Sequence, residues 1–246
     1  TGEPGLLFIE CISKYLENYI TAREKGFHNA ITTFCFSPGI LYAMDVFPIC
    51  LEVLSVAQTF AYKRGTAEFL DFCNEVGYTE TSCSSQRGTL GAFLAGVGAD
   101  VDMVLTDTPG VCDTNANAFA FASAYLDVPF CQLDYPPVLT GERAVEYHRA
   151  DFRKMLSFLE EQTGKKLDLD KLREICRELI RQDEIICEIQ EYQRLIPSPV
   201  PGIFNLFIYD IKVMFSGIKD GTDILEAMLD IVKANAAKGV AGLEEL

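Results

Sequence analysis

The first half of the chain alternates short apolar segments with longer amphipathic ones, and this alternation most constrains the fold. The short segments are bounded by turn residues and predict strands, while helical spacing of apolar residues predicts helices between them. The predicted strands are residues 30–34, 46–53, 102–106 and 129–133. The predicted helices are residues 5–25, 38–44, 56–76, 90–95 and 113–125. Strands that alternate with helices form parallel sheets covered on both faces, so we expect a Rossmann-like α/β fold.

The second half of the chain predicts helices alone. Residues 141–163 are polar and helical, and Asp168 is placed to cap a long helix that follows. Three prolines between residues 197 and 201 end that helix, and two more helices are predicted at residues 203–216 and 220–236. We therefore divide the chain into an α/β lobe at residues 1–137 and an all-helical region at residues 138–246.

Charge and hydropathy exclude several classes of partner. The chain has 246 residues and a formal net charge of −15, which disfavours binding to nucleic acid or to an anionic membrane surface. It contains no uninterrupted apolar run near the roughly 20 residues that span a bilayer. Its start lacks the pattern of a signal peptide, so we expect a cytoplasmic protein.

Nine cysteines are many for such a protein, and an odd number without any C-x-x-C pair argues against a disulfide framework or a zinc ribbon. Cys35, Cys83 and Cys112 each follow a predicted strand or turn and precede a predicted helix. In an open α/β sheet such positions line the crevice at the carboxyl ends of the strands, so these three thiols could converge. Thiolates that arrive singly from different loops suit iron–sulfur clusters. The others lie in apolar runs and are predicted to be packing residues, namely Cys11, Cys50, Cys73, Cys131, Cys176 and Cys187.

Four passages, in this order, carry a resemblance to a known family. The first passage is residues 35–38, followed by Phe47-Pro48, and the second is residues 83–91, which include Arg87, Leu90 and Gly91. The third is residues 104–113. The fourth is residues 133–136, followed by Glu146-Tyr147, Leu159-Glu160, residues 163–166 and Leu172. With these passages the chain resembles the iron–sulfur subunits of the 2-hydroxyacyl-CoA dehydratase and benzoyl-CoA reductase family. It departs from that family at Gly39-Ile40, where acidic residues are usual, and it lacks the family's second Rossmann-like lobe. It is therefore either the N-terminal part of a subunit or a shorter relative.

The resemblance implies a [4Fe-4S] cluster with Cys83 and Cys112 as ligands, and Cys35 as a third candidate that either binds iron or lines the site. An ATP-dependent activator protein, which carries its own [4Fe-4S] cluster, would supply one low-potential electron, and a paralogous partner subunit would complete the enzyme. Arg87 would offset cluster charge or bind a CoA phosphate, unless it is an exposed surface arginine. Ser84 would donate a hydrogen bond to a cluster sulfur.

The function implied by the resemblance is the dehydration of a 2-hydroxyacyl-CoA to an enoyl-CoA through a ketyl radical in an oxygen-sensitive, anaerobic enzyme. Two alternatives stay open. The first is a subunit of an ATP-dependent benzoyl-CoA reductase or of a double-cluster reductase. The second is a non-catalytic binding or assembly subunit that keeps the fold and has lost the cluster.

Overall fold

The computed structural model describes residues 2–34, 36–61, 63–97, 100–107, 112–134, 136, 138 and 140–242. Its strands are β1 (His28–Thr32), β2 (Val46–Cys50), β3 (Met103–Thr106) and β4 (Phe130–Gln132). Its helices are α1 (Gly2–Thr21), α2 (Gly39–Ala43), α3 (Leu51–Ala61), α4 (Ala67–Glu75), α5 (Ser84–Leu94), α6 (Asp113–Leu126), α7 (Glu142–Thr163), α8 (Leu169–Tyr192), α9 (Phe204–Met214) and α10 (Lys219–Lys238).

The chain forms two compact units. The sheet unit consists of Tyr19–Phe36 and Met44–Leu167, and the helical unit of Thr1–Asn18, Ser37–Ala43 and Asp168–Leu246. Helix α7 therefore groups with the sheet, and most of α1 and all of α2 group with the C-terminal helices. The predicted boundary between an α/β lobe at residues 1–137 and an all-helical region at residues 138–246 stays a prediction.

The sheet has four parallel strands in the order β2-β1-β3-β4, which confirms the predicted α/β class. The chain leaves β1 toward β2 on one side and leaves β3 toward β4 on the other. The order of the strands therefore reverses between β1 and β3. Such a reversal opens a crevice beyond the carboxyl ends of the two strands, where α/β proteins bind ligands.

Helix α5 is the best-packed helix of the sheet unit. Residues 86–94 of α5 are all buried, and the helix contacts α3, α4 and α6. Gly91 permits the approach to α4, because a Cβ atom there would lie 2.1 Å from the backbone oxygen of Phe69. Gly91 belongs to the motif that begins at Cys83, so this part of the motif serves helix packing.

The helical unit is held together through α8. The Gln182 side chain is fully buried, and its amide nitrogen donates to the carbonyl oxygens of Phe215 at 3.0 Å and Ile218 at 2.9 Å. These contacts fix the turn between α9 and α10 against α8. The predicted cap of α8 is confirmed, since the Asp168 carboxylate accepts hydrogen bonds from the backbone nitrogens of Asp170 and Lys171.

The predicted strand at residues 46–53 was wrong at its carboxyl end. Strand β2 ends at Cys50, and α3 begins at Leu51. Residues 51–54 are all buried, and a continuous apolar run does not by itself separate a buried strand from a buried helix. The correction places Glu52 in the first turn of α3, directly after the sheet.

In the described part of the chain, every helix is too short or too polar to pass through a lipid bilayer.

Candidate functional site

The carboxyl edge of the sheet carries several polar residues and the starts of two helices. Thr33 follows β1, Glu52 follows β2, and α6 begins a few residues after β3. Helix α5 contacts both α3 and α6, which brings its first turn to the same edge. The candidate site is therefore the crevice between the ends of β1 and β3.

Cys83 occupies the N-cap position of α5 and its side chain is exposed. Its carbonyl oxygen accepts the first hydrogen bonds of the helix, from the nitrogens of Gln86 at 3.3 Å and Arg87 at 3.2 Å. The Cys83 side chain itself makes no capping hydrogen bond. The thiol is therefore accessible at the N-terminus of the helix.

Cys112 occupies the corresponding position on α6. It is the N-cap residue, its carbonyl oxygen accepts from the nitrogen of Ala116 at 3.2 Å, and its half-buried side chain makes no capping hydrogen bond. Both predicted ligands thus stand at helix N-termini on helices that pack against each other.

The third candidate ligand, Cys35, and the turn at residues 108–111 lie outside the described residues. Within the described ranges, no three side chains of His, Cys, Asp or Glu form a group that could hold a metal ion. Cys83 and Cys112 have the soft thiolate chemistry that an iron–sulfur cluster requires, and they supply two of its ligands at most. The described residues alone do not form a complete cluster site.

A buried carboxyl group, Glu52, lies at the centre of the edge. Its Oε1 atom lies 3.4 Å from the Thr33 hydroxyl and 3.5 Å from the Gln86 amide nitrogen, and both groups donate to it. The Asn115 amide nitrogen donates to the Thr33 hydroxyl at 2.6 Å. We call Thr33, Glu52, Gln86 and Asn115 the carboxylate cluster; it joins the segments after β1, β2 and β3 and the first turn of α5.

Burial raises the pKa of Glu52 from 4.5 to about 7, against the opposing effect of hydrogen bonds from backbone nitrogens, Cys50 and Asn115. The Cys50 thiol donates to Glu52 Oε2 at 3.4 Å. Burial also raises the pKa of Cys50 well above its ordinary value, so this thiol stays protonated. A carboxyl group that titrates near neutral pH can both accept and release a proton during a reaction.

Sequence reasoning missed Glu52 because it was assigned to an apolar strand. A signal was present, since Glu52 is the lone charged residue between Asp45 and Lys63. A carboxylate in an apolar run directly after a predicted buried strand is costly to bury. Such a residue is therefore a candidate for a functional site.

Arg87 is buried, so the alternative of an exposed surface arginine was wrong. Its guanidinium donates to the carbonyl oxygens of Glu80 at 3.0 Å and Leu70 at 3.1 Å, and to the Asn74 side-chain oxygen at 2.5 Å. These bonds fix the first turns of α5 to the end of α4 and to the loop before Cys83. The predicted role of Arg87 in binding a cofactor stays a prediction.

The Ser85 hydroxyl oxygen lies 3.3 Å from the Cys83 sulfur. Ser84, the predicted hydrogen-bond donor to a cluster, begins α5 with an exposed side chain, and its role stays a prediction.

The predicted packing role is confirmed for Cys11, Cys50 and Cys73, which are buried. It was wrong for Cys176 and Cys187, which are exposed on α8. The apolar residues beside them, such as Ile175 and Ile186, face the core instead. Cys131 is half-buried.

Comparisons with known proteins show which family the sequence matches. A family model described as "2-hydroxyglutaryl-CoA dehydratase, D-component" matches residues 34–245. The chain is 23% identical to the (R)-2-hydroxyisocaproyl-CoA dehydratase alpha subunit of Clostridioides difficile over 251 aligned positions, which cover 96% of this chain and 60% of that protein. It is 27% identical to the lactoyl-CoA dehydratase subunit alpha of Anaerotignum propionicum, over 72% of this chain and 47% of the relative.

A third relative is the (R)-phenyllactyl-CoA dehydratase alpha subunit of Clostridium sporogenes, which is 24% identical over 72% of this chain and 45% of its own length. The chain thus spans 60% or less of the length of each of these curated relatives.

Glu52 predicts a pH dependence of stability. A glutamate whose pKa is raised from 4.5 to about 7 on folding binds its proton more tightly in the folded state than in the unfolded state. The stabilisation is therefore complete below pH 4.5, and the free energy of unfolding falls by about 3 kcal/mol as the pH rises to 7. Glu52→Gln should remove this fall, which urea unfolding at a series of pH values measures.

The matched control is the exposed Glu161, whose replacement by Gln should leave the pH dependence unchanged. Comparison with the unsubstituted chain also cancels the similar contribution of Asp210, whose pKa burial raises to about 6. A Glu52→Gln variant with the original pH dependence would contradict the assignment.

Arg87 predicts a large structural effect. Arg87→Met leaves the Glu80, Leu70 and Asn74 oxygens without their donor, at about 1 kcal/mol for each lost bond. We expect the free energy of unfolding to fall by about 3 kcal/mol. Arg64→Met, which removes an exposed arginine paired with Glu68, should cost under about 0.5 kcal/mol. Unchanged stability with weaker binding of a CoA thioester would instead assign Arg87 to the ligand.

Proposed function

The chain belongs to the 2-hydroxyglutaryl-CoA dehydratase D-component family, and from this premise we propose that it is a subunit of an iron–sulfur enzyme that dehydrates a 2-hydroxyacyl-CoA to an enoyl-CoA. The observation that carries the proposal is the crevice at the carboxyl edge of the sheet. Cys83 and Cys112 at two helix N-caps, and the buried Glu52 carboxyl group that accepts a hydrogen bond from Gln86 in the first turn of α5, support it.

We infer that Cys83, Cys112 and Cys35 would hold a [4Fe-4S] cluster. Such a cluster supplies a single electron and, with three protein ligands, an iron atom that is open to a substrate oxygen. The exposed and half-buried thiols at the ends of α5 and α6 support the first two ligands. Ser84 and Arg87 keep their predicted places beside the cluster as part of this proposal.

Glu52 is the group that we propose moves the proton. Dehydration takes a proton from carbon 3 of the acyl chain and hydroxide from carbon 2, and the two leave together as water. A Glu52 carboxylate that accepts the first proton returns it to the departing hydroxide, so the carboxyl group ends the cycle unchanged. Its pKa of about 7 suits both halves of this transfer.

The substrate and partners follow from the family. The three relatives are named as CoA dehydratase subunits, which favours dehydration over the reductase alternative. Their designation as alpha subunits supports a paralogous partner subunit. An ATP-dependent activator that carries its own [4Fe-4S] cluster, and a cytoplasmic location, complete the proposal.

Iron content tests the cluster. After anaerobic purification together with the partner subunit, we expect about four irons per chain, the content of one [4Fe-4S] cluster. Cys83→Ser and Cys112→Ser should each lower the iron and abolish the EPR signal of the reduced sample, because a hydroxyl group is a poor ligand for a soft metal. Cys187→Ser, which removes an exposed thiol from α8, is the matched control and should keep its iron.

An iron-free complex, even after reconstitution, would overturn the cluster and favour the non-catalytic binding subunit.

Activity tests the role of Glu52. In the iron-loaded complex, Glu52→Gln should lower the rate of enoyl-CoA formation by about 100-fold, because the amide cannot accept the proton. The variant should keep its iron content, which separates loss of chemistry from loss of the cluster. A variant with both iron and full activity would remove Glu52 from the reaction.

A further inference from the structure

Two residues of the carboxylate cluster lie at the same distance in sequence from the two candidate ligands. Gln86 lies three residues after Cys83 on α5, and Asn115 lies three residues after Cys112 on α6. Each amide is therefore in the first turn of the helix whose N-cap residue is the cysteine. Thr33, the third side chain of the cluster, lies two residues before Cys35.

The two amides are unusual residues for their positions. Gln86 is 1% exposed and Asn115 is fully buried, at places where an apolar side chain would pack without any hydrogen-bonding requirement. Within the described residues, Gln86 Oε1 and Asn115 Oδ1 have no hydrogen-bond partner. Since a buried unpaired oxygen costs stability, packing alone does not account for these two amides.

The nitrogen ends of the same amides explain their presence. The Gln86 nitrogen donates to Glu52 Oε1, and the Asn115 nitrogen donates to the Thr33 hydroxyl, which donates to the same carboxylate oxygen. One buried oxygen atom thus restrains the first turn of α5, the first turn of α6 and the segment after β1. Because Gln86 and Thr33 both donate to Oε1, the Glu52 carboxyl group links these segments directly.

We propose that Gln86 and Asn115 are positioning residues that hold Cys83 and Cys112 in register through their shared attachment to Glu52. The two helix N-termini are then fixed relative to each other before any ligand binds. The inference rests on the proposed function, because it assigns the register to a site that both cysteines share.

The test measures the proximity of the two thiols in the metal-free chain. Cys176→Ser and Cys187→Ser first remove the exposed thiols of α8. Dibromobimane, which becomes fluorescent when it has bridged two neighbouring thiols, is then added, and mass spectrometry locates the bridge. We expect a bridge between Cys83 and Cys112, and a roughly fivefold lower yield in Gln86→Leu and in Asn115→Leu, the change in population expected for the loss of one buried hydrogen bond.

Two further variants separate positioning from general stability. Gln58→Leu removes another amide whose buried oxygen lacks a partner in the described part of the chain, from α3 and outside the carboxylate cluster, and should keep the yield. The double variant Glu52→Gln with Gln86→Glu restores a carboxylate–amide pair in reversed order, and should recover the bridge that Gln86→Leu loses. A side chain that only fills space would give no such recovery. Thermal melting of each variant confirms that the chain is folded.

The outcomes distinguish failure of the shared site from failure of the positioning role alone. If the unsubstituted chain forms no Cys83–Cys112 bridge, the shared site fails, and the positioning role fails with it. The bridge can also form in the unsubstituted chain and reach the same yield in the folded Gln86→Leu and Asn115→Leu variants as in Gln58→Leu. In that case only the positioning role is overturned, and the proposed function stands.

Discussion

The parallel pairing of β1 with β3 is the constraint on which the sheet unit depends. Ala30 pairs with Met103 and Ile31 with Val104, and the Asp102 carboxylate extends the pairing by accepting from the Asn29 backbone nitrogen at 2.7 Å. Because the strand order reverses at this pair, the segments that leave the sheet turn away from each other and open a crevice. The meeting of four separate segments at one carboxylate is thus a consequence of strand order.

The buried polar groups of the crevice lower the stability of the fold and at the same time tune the pKa of Glu52. Burial of a carboxyl group beside two amides whose oxygens lack a partner among the described residues costs folding free energy, and the surrounding apolar core must offset that cost. The same burial moves the pKa of Glu52 close to neutral, where proton transfer is efficient in both directions. Local departures from the rules of stable packing concentrate at functional sites for this reason.

Sequence patterns predicted most of the fold and only part of the site. The helical spacing of apolar residues and the Asp168 cap are local signals, so the helices and the cap were predictable. The placement of Cys83 and Cys112 directly before helices was equally local, although Cys83 follows helix α4 and the predicted strand-to-helix turn was wrong there. Glu52 meets Gln86 across 34 residues of chain, and Arg87 reaches Leu70 across 17, so neither environment could be derived from neighbouring residues. Resemblance supplied the chemistry that these patterns lack.

The positions of Cys176 and Cys187 on α8 limit which disulfide bonds they can form when the protein is oxidised. The two thiols lie 11 residues apart on one helix, whose rise per residue separates their Cα atoms by about 16 Å. A disulfide bond requires Cα atoms within about 7 Å, so these cysteines cannot join each other while α8 is folded. In air each exposed thiol is accessible to another molecule. Covalent dimers and mixed disulfides with small thiols are therefore the products to expect in aged samples, independently of any damage at the crevice.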